Sequence, residues 1–234
     1  MRRRSPVRAV IFDAGHTLLE MDYARFTAYL LARGHDVDQE RVTSAERQAR
    51  MRLDVERSAP GGRQRTGEGR YVRYLAADLG ITDGAECRVI AEWRRGFNVP
   101  IGLCHQADGA AARAIARARA LGLVVGVISN SNGSVRTALE RAGLAEQLAF
   151  VIDSSVVGVT KPDPRIFALG LEAAGTAAAE TIYVGDSYFV DVVAARAAGL
   201  GAVLFDPGRV WVERDCPIAT RLDEAVERAV AIGG

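Results

Sequence analysis

Residues 123–143 read LVVGVISNSNGSVRTALERAG. Leu123–Ile128 is an apolar run without polar alternation, the pattern of a strand buried on both faces. It stops at Ser129-Asn130. Helical spacing follows over Ser134–Ala142, closed by Gly143 in the position that favours a left-handed residue. The same strand–turn–helix unit recurs on both sides of this stretch. Val7–Phe12 is a β-branched apolar strand ended by Asp13-Ala14-Gly15, and Ala107–Ala120 reads as an Ala/Arg helix. Downstream, Phe150–Ile152 is a short strand, and Asp163-Pro164 opens a helix with a capping carboxylate and a proline in the first turn. Thr181–Val184 is a strand ending in Gly185-Asp186, Tyr188–Ala198 a helix closed by Gly199, Ala202–Phe205 a further strand and Asp223–Ala231 a last helix. Alternation at this spacing predicts an α/β fold, a doubly wound parallel sheet with helices on both faces.

The first strand is separated from the rest by a block of another character. From Met21 onward, Arg-rich amphipathic segments succeed one another: Tyr23–Arg33, Gln39–Ser58, Gly69–Leu79 and Asp83–Arg95. No convincing strand lies among them, and Ala59–Gly67 is rich in breakers and charge. The expected organisation is an α/β core built from residues 1–20 and 100–234, with an all-helical domain, residues 21–99, inserted after the first strand.

Composition narrows the function. The chain has 234 residues, 49% hydrophobic and 25% charged, with a formal net charge of +1. That balance supplies no basic field for nucleic acid, and no uncharged stretch is long and apolar enough for a membrane span. Cys87, Cys104 and Cys216 are scattered without metal-site spacing, so a reducing, cytoplasmic setting is expected. Of the 30 basic residues, Lys161 is the sole lysine. Arginine and lysine serve about equally well on a solvated surface, so a lone lysine stands where a compact ammonium is needed in place of a planar fork.

Three strands carry polar residues at their carboxyl ends: Asp13, Ser129 and Asp186. In doubly wound sheets that edge binds ligands, so the three should converge. Asp191 follows Asp186 by five residues, and Lys161 precedes a helix nearby. Clustered carboxylates repel unless something positive sits among them, and Mg²⁺, which takes one or two carboxylates and leaves its other positions to water and phosphate oxygens, is the natural partner.

These residues carry a resemblance. Val10-Ile-Phe-Asp13-Ala-Gly-His-Thr17-Leu, Val127-Ile-Ser129-Asn130, Lys161-Pro162 and Val184-Gly-Asp186-Ser-Tyr-Phe-Val-Asp191 resemble, in order, the four motifs of the haloacid dehalogenase superfamily of hydrolases with an inserted helical cap. The resemblance spans nearly all of the chain outside the insert. It implies a Rossmann-like core, Asp13 as nucleophile, Ser129 with donors around Asn130 as the phosphoryl-binding element, and Lys161 as the stabilising charge. It further implies Mg²⁺ between Asp13, Asp186 and the main-chain carbonyl of Gly15, with Asp191 positioning Lys161 or a water. The substrate it implies is a small phosphorylated metabolite.

One position departs from the family pattern. Most phosphatases of this family have an aspartate where Gly15 stands, acting as general acid and base, and glycine moves no proton. Relatives without it include phosphonate-cleaving enzymes, which need a second lysine that this chain lacks. They also include haloacid dehalogenases, which work without metal and lack an acid at the place of Asp186, and phosphatase-like proteins. The expectation is a Mg²⁺-dependent phosphatase, slow for want of that aspartate. The alternatives are a 2-haloacid dehalogenase or a degenerate binding protein. His16 is a candidate substitute for the missing acid and base. Arg63, Arg65, Arg70 and Arg73 of the insert read as a solvated face.

Overall fold

A computed structural model describes residues 6–59, 68–97 and 101–233. Arg63 and Arg65, with nearly all of the Ala59–Gly67 stretch, lie outside the described residues. The chain divides into two compact units. One holds the chain up to Glu20 and from Cys104 onward, and the other holds 21–103.

The first unit is a six-stranded parallel sheet. In chain order its strands are β1 (Ala9–Phe12), β4 (Val124–Ser129), β5 (Phe150–Asp153), β6 (Thr181–Gly185), β7 (Gly201–Phe205) and β8 (Ile218–Ala219). Their spatial order is β5-β4-β1-β6-β7-β8. The chain winds outward from β1 through β4 to β5, then returns to the other side of β1 for β6, β7 and β8. The winding therefore reverses at β1, whose two neighbours are β4 and β6. Register puts Phe12 beside Val127 and Val184, so Asp13, Ser129 and Asp186 follow at one edge of the sheet. All four residues of β1 are fully buried, which explains their purely apolar sequence.

The second unit is helical. Among its described residues the helices are α1 (Tyr23–Ala32), α2 (Gln39–Ser58), α3 (Glu68–Asp78) and α4 (Gly84–Gly96), close to the expected segments. Asp22, Asp38 and Asp83 each accept a first-turn N–H, the capping role short carboxylates favour. The unit has its own core, with Phe26, Leu30, Val42, Leu75 and Ile90 fully buried. Glu46 is also fully buried, and it is satisfied by the hydroxyls of Tyr23 (3.0 Å) and Tyr71 (2.9 Å) and by Arg50 (2.8 Å). Of the insert arginines, Arg70 pairs with Glu56, and Arg73 is exposed.

Three expectations are corrected. The Ala/Arg helix begins at Ala111, not Ala107, because Cys104–Ala107 is a strand, β3, paired with β2 (Leu19–Met21) in a separate two-stranded sheet. Asp108 closes the turn between β3 and α5 (Ala111–Ala120), its carboxylate accepting from Ala110 N. The helix expected over Tyr188–Ala198 is a π-helical turn, Tyr188–Val193, leading into a short α-helix, Ala194–Ala197. The helical unit ends at Leu103, four residues beyond the expected boundary. Among the described residues no helix is long and apolar enough to cross a membrane.

Candidate active site

Asp13 sits one residue beyond β1 and is buried, with its N–H donating to the Val184 carbonyl at 2.8 Å. Ser129 is the last residue of β4 and is buried beside it in the edge. Lys161 lies ahead of the helix Pro164–Ala174, which is capped by Asp163 as expected. Its ammonium is buried and meets three acceptors: Asp13 Oδ1 at 2.7 Å, Asp191 Oδ1 at 2.7 Å and Tyr183 Oη at 2.8 Å. An ammonium has three N–H bonds, so all are used.

Asn130 acts on the lysine. Its Nδ2 donates to the Lys161 carbonyl at 3.0 Å, and its Oδ1 accepts from Lys161 N at 2.8 Å. The Asn130 side chain is thus engaged in clamping the peptide that presents the lysine, and the phosphoryl donors expected around it from sequence are backbone ones. The loop behind it is held by Asp153 at the end of β5. One oxygen of this buried carboxylate accepts from Gly133 N and Val135 N.

Carboxylate oxygens of Asp13, Asp186 and Asp191 lie within 4.8 Å of one another. Burial pushes the Asp13 carboxyl above its ordinary range, against the pull of Lys161, and Asp191 pushes the same way. Burial also disfavours the charged lysine, but Asp13 and Asp191 outweigh it and hold the ammonium well above the usual lysine value. Three clustered carboxylates thus surround a charged lysine that bonds two of them, Asp13 and Asp191. Both oxygens of Asp191 have partners, since Oδ2 accepts from Ser187 N at 3.0 Å. Carboxylates this close around one ammonium fit a hard divalent cation such as Mg²⁺, and the family resemblance expects Asp13 and Asp186 to hold it. Gly185 makes room for the arrangement, because a Cβ there would fall 2.4 Å from Asp191 Oδ2.

At residue 15 the backbone is outside the left-handed region, and a Cβ would meet only Cys104 Sγ, at an ordinary 3.7 Å. The left-handed residue is His16, with φ 58°. Its N–H donates to the Leu19 carbonyl and to Cys104 Sγ, which hold the tight turn after Asp13.

Tyr183 was missed from sequence. It reads as one more apolar residue in the buried strand β6, yet its hydroxyl accepts from Lys161 and donates to the Ile128 carbonyl at 2.8 Å, next to Ser129. The available signal was a tyrosine inside a fully buried strand, whose hydroxyl must find a partner.

A doubly wound sheet with an acidic strand edge and a buried lysine defines the class, a hydrolase of the haloacid dehalogenase type. The sequence matches the family described as haloacid dehalogenase-like hydrolase over residues 7–199, and the chain belongs to that family. A phosphoserine phosphatase from Thermus thermophilus is 42% identical over 95 residues, which are 40% of this chain and 38% of that protein. The match thus spans little more than a third of this relative's length. The magnesium-bound HAD-hydrolase YfnB from Bacillus subtilis has the same fold, with a TM-score of 0.67 at 18% identity, covering 96% of this chain and 99% of that one. So does L-2-haloacid dehalogenase from Xanthobacter autotrophicus with chloropropionic acid covalently bound, with a TM-score of 0.60 at 20% identity over 94% and 97% of the two chains.

Proposed function

We propose that this protein is a Mg²⁺-dependent phosphatase of small phosphorylated metabolites, working through an aspartyl-phosphate on Asp13, with the helical unit as its substrate-selecting cap. The observation that carries the reading is the cluster of three carboxylates at the strand edge, Asp13, Asp186 and Asp191, two of them paired with one lysine. A haloacid is an anion, and a metal-free site of this charge would repel it. With a divalent cation at Asp13 and Asp186 the same site attracts a phosphate dianion. The magnesium in the YfnB structure and the phosphatase among the relatives support that choice.

The chemistry of this chain's residues is short. Asp13 forms a bond to phosphorus as the ester P–O bond breaks, and the leaving alkoxide takes a proton from water. A second water then attacks phosphorus, which frees Asp13 and releases inorganic phosphate. The Ser129 hydroxyl steadies an equatorial oxygen, while Lys161, its three N–H bonds committed, holds Asp13 Oδ1 in line and adds positive charge beside the phosphoryl group. A bound Mg²⁺ supplies charge neutralisation and alignment. Gly15 contributes no proton, so leaving-group protonation falls to solvent and turnover is slow.

The test is a panel of phosphorylated metabolites with Mg²⁺, run beside 2-chloropropionate without metal. Mg²⁺-dependent phosphate release that vanishes in Asp13→Asn is expected. Chloride release in the metal-free arm would replace this reading with a dehalogenase, and silence in both arms would leave a binding protein.

A further inference from the structure

The loop between β7 and β8 takes no part in the chemistry above, yet it is bonded to the segment that carries Asp186 and Asp191. The Trp211 indole N–H donates to the Asp186 carbonyl at 3.2 Å. The N–H of the same peptide group, on Ser187, donates to Asp191 Oδ2 at 3.0 Å. A peptide group is planar, so a bond at each end fixes its rotation. That rotation sets how Asp186 leaves β6 and how Asp191 enters the π-helical turn. Asp191 Oδ1 in turn accepts from Lys161, which holds Asp13. One indole thus bears on both the acidic pair and the lysine.

Trp211 is itself held. Asp206, buried at the end of β7, accepts Val210 N–H at 3.0 Å on one oxygen and Trp211 N–H at 2.9 Å on the other. The Arg214 guanidinium lies 4.9 Å from the Tyr188 ring centre and 5.0 Å from that of Trp211, and Tyr188 Oη bonds Asp215. These contacts pin the indole against the first turn after Asp186, and the bulged geometry of that turn is one often found at functional sites.

We infer that Trp211 is a positioning residue for the cation site at Asp13 and Asp186, acting through the Asp186–Ser187 peptide. The inference rests on the Mg²⁺ reading above. Trp211→Phe keeps a ring in the stack and removes only the donor. Calorimetric titration with MgCl₂ of the wild type, Trp211→Phe, Asp186→Ala and the surface control Val212→Ala tests it, beside the melting temperature of each protein without metal.

The expected result is an Mg²⁺ dissociation constant raised about tenfold in Trp211→Phe, the low end of the cost of losing an outer-shell hydrogen bond. Val212→Ala should bind as wild type, since Val212 is 79% exposed. A Trp211→Phe protein with a lowered melting temperature and an unchanged constant would reduce the bond to a structural one and overturn the inference alone. A wild type that binds no Mg²⁺ would remove the cation reading and this inference together. Should Trp211→Phe fail to fold, Asp206→Asn, which retains the indole and weakens its anchor, carries the same expectation.

Discussion

At the scale of single residues, lysine and glycine at two positions carry opposite lessons. Lys161 places one compact charge among three acceptors at 2.7, 2.7 and 2.8 Å, in a pocket that leaves its side chain 2% exposed. An arginine fork is planar and larger, and it cannot converge on those three points. Lys161→Arg should therefore lower phosphatase turnover at least tenfold, a barrier increase of about 1.4 kcal/mol, although it conserves charge. Full activity in steady-state assays of the variant would mean that charge alone is required. Gly15 is the converse, because neither its backbone angle nor its surroundings demand glycine. An aspartate there escapes the cost of about 1–2 kcal/mol that a left-handed residue carries. Gly15→Asp should then speed hydrolysis of the aspartyl-phosphate by about tenfold or more, within the range of general acid–base catalysis. Single-turnover kinetics separates that step from its formation. An unchanged rate in a folded, Mg²⁺-binding variant would show that proton transfer is already supplied elsewhere. Asp13, Ser129, Lys161 and Asp186 were legible because each stands at a strand end or helix start where a polar residue interrupts an apolar pattern. Tyr183 and Trp211 were not, since their roles lie in hydrogen bonds to Ile128 and Asp186, 55 and 25 residues away in the chain.

At the scale of elements, periodicity served best where burial is uniform. Strands β1, β4, β6 and β7 are buried almost throughout, so their sequences are apolar almost throughout and their bounds come within about a residue or two of the reading. The four helices among the described residues of the insert were equally visible, each an amphipathic run. β3 was missed because Cys104-His-Gln-Ala107 is half-exposed and lacks β-branched residues, leaving no pattern to distinguish it from a helix start. β8 is two residues long, too short for any periodicity, and exists because Leu204 N donates to the Pro217 carbonyl and Asp206 N to that of Ala219. The π-helical turn is a tertiary product. Val192 N reaches back to the Ser187 carbonyl, and the bulge swings Asp191 beneath Gly185 toward Lys161. Tyr188–Val193 is made of aromatic, β-branched and Asp residues, all weak helix formers, so no local preference for an ordinary helix opposes the wider turn that the site's own bonds hold.

At the scale of the whole molecule, two compact units with separate cores divide the consequences of binding unequally. Both carboxylates assigned to the cation, Asp13 and Asp186, belong to the sheet unit, as do Lys161 and Asp191. A cation that binds only the folded state stabilises it by about 2.7 kcal/mol at a hundredfold excess over its dissociation constant. For a unit of this size, about 2–4 °C of melting temperature accompanies each kcal/mol, so Mg²⁺ should raise the transition of the sheet unit by roughly 5–11 °C. Hydrogen exchange locates the gain. Amides of β1, β4 and β6 should exchange more slowly with MgCl₂ present, while those of α1 to α4 keep their metal-free rates. Asp186→Ala should abolish the Mg²⁺-dependent shift while leaving the helical unit's exchange untouched. A variant stabilised by Mg²⁺ as strongly as the wild type would place the cation elsewhere. Slowed exchange in α1 to α4 would show that the two units unfold as one cooperative body, with metal binding at the strand edge felt across both cores.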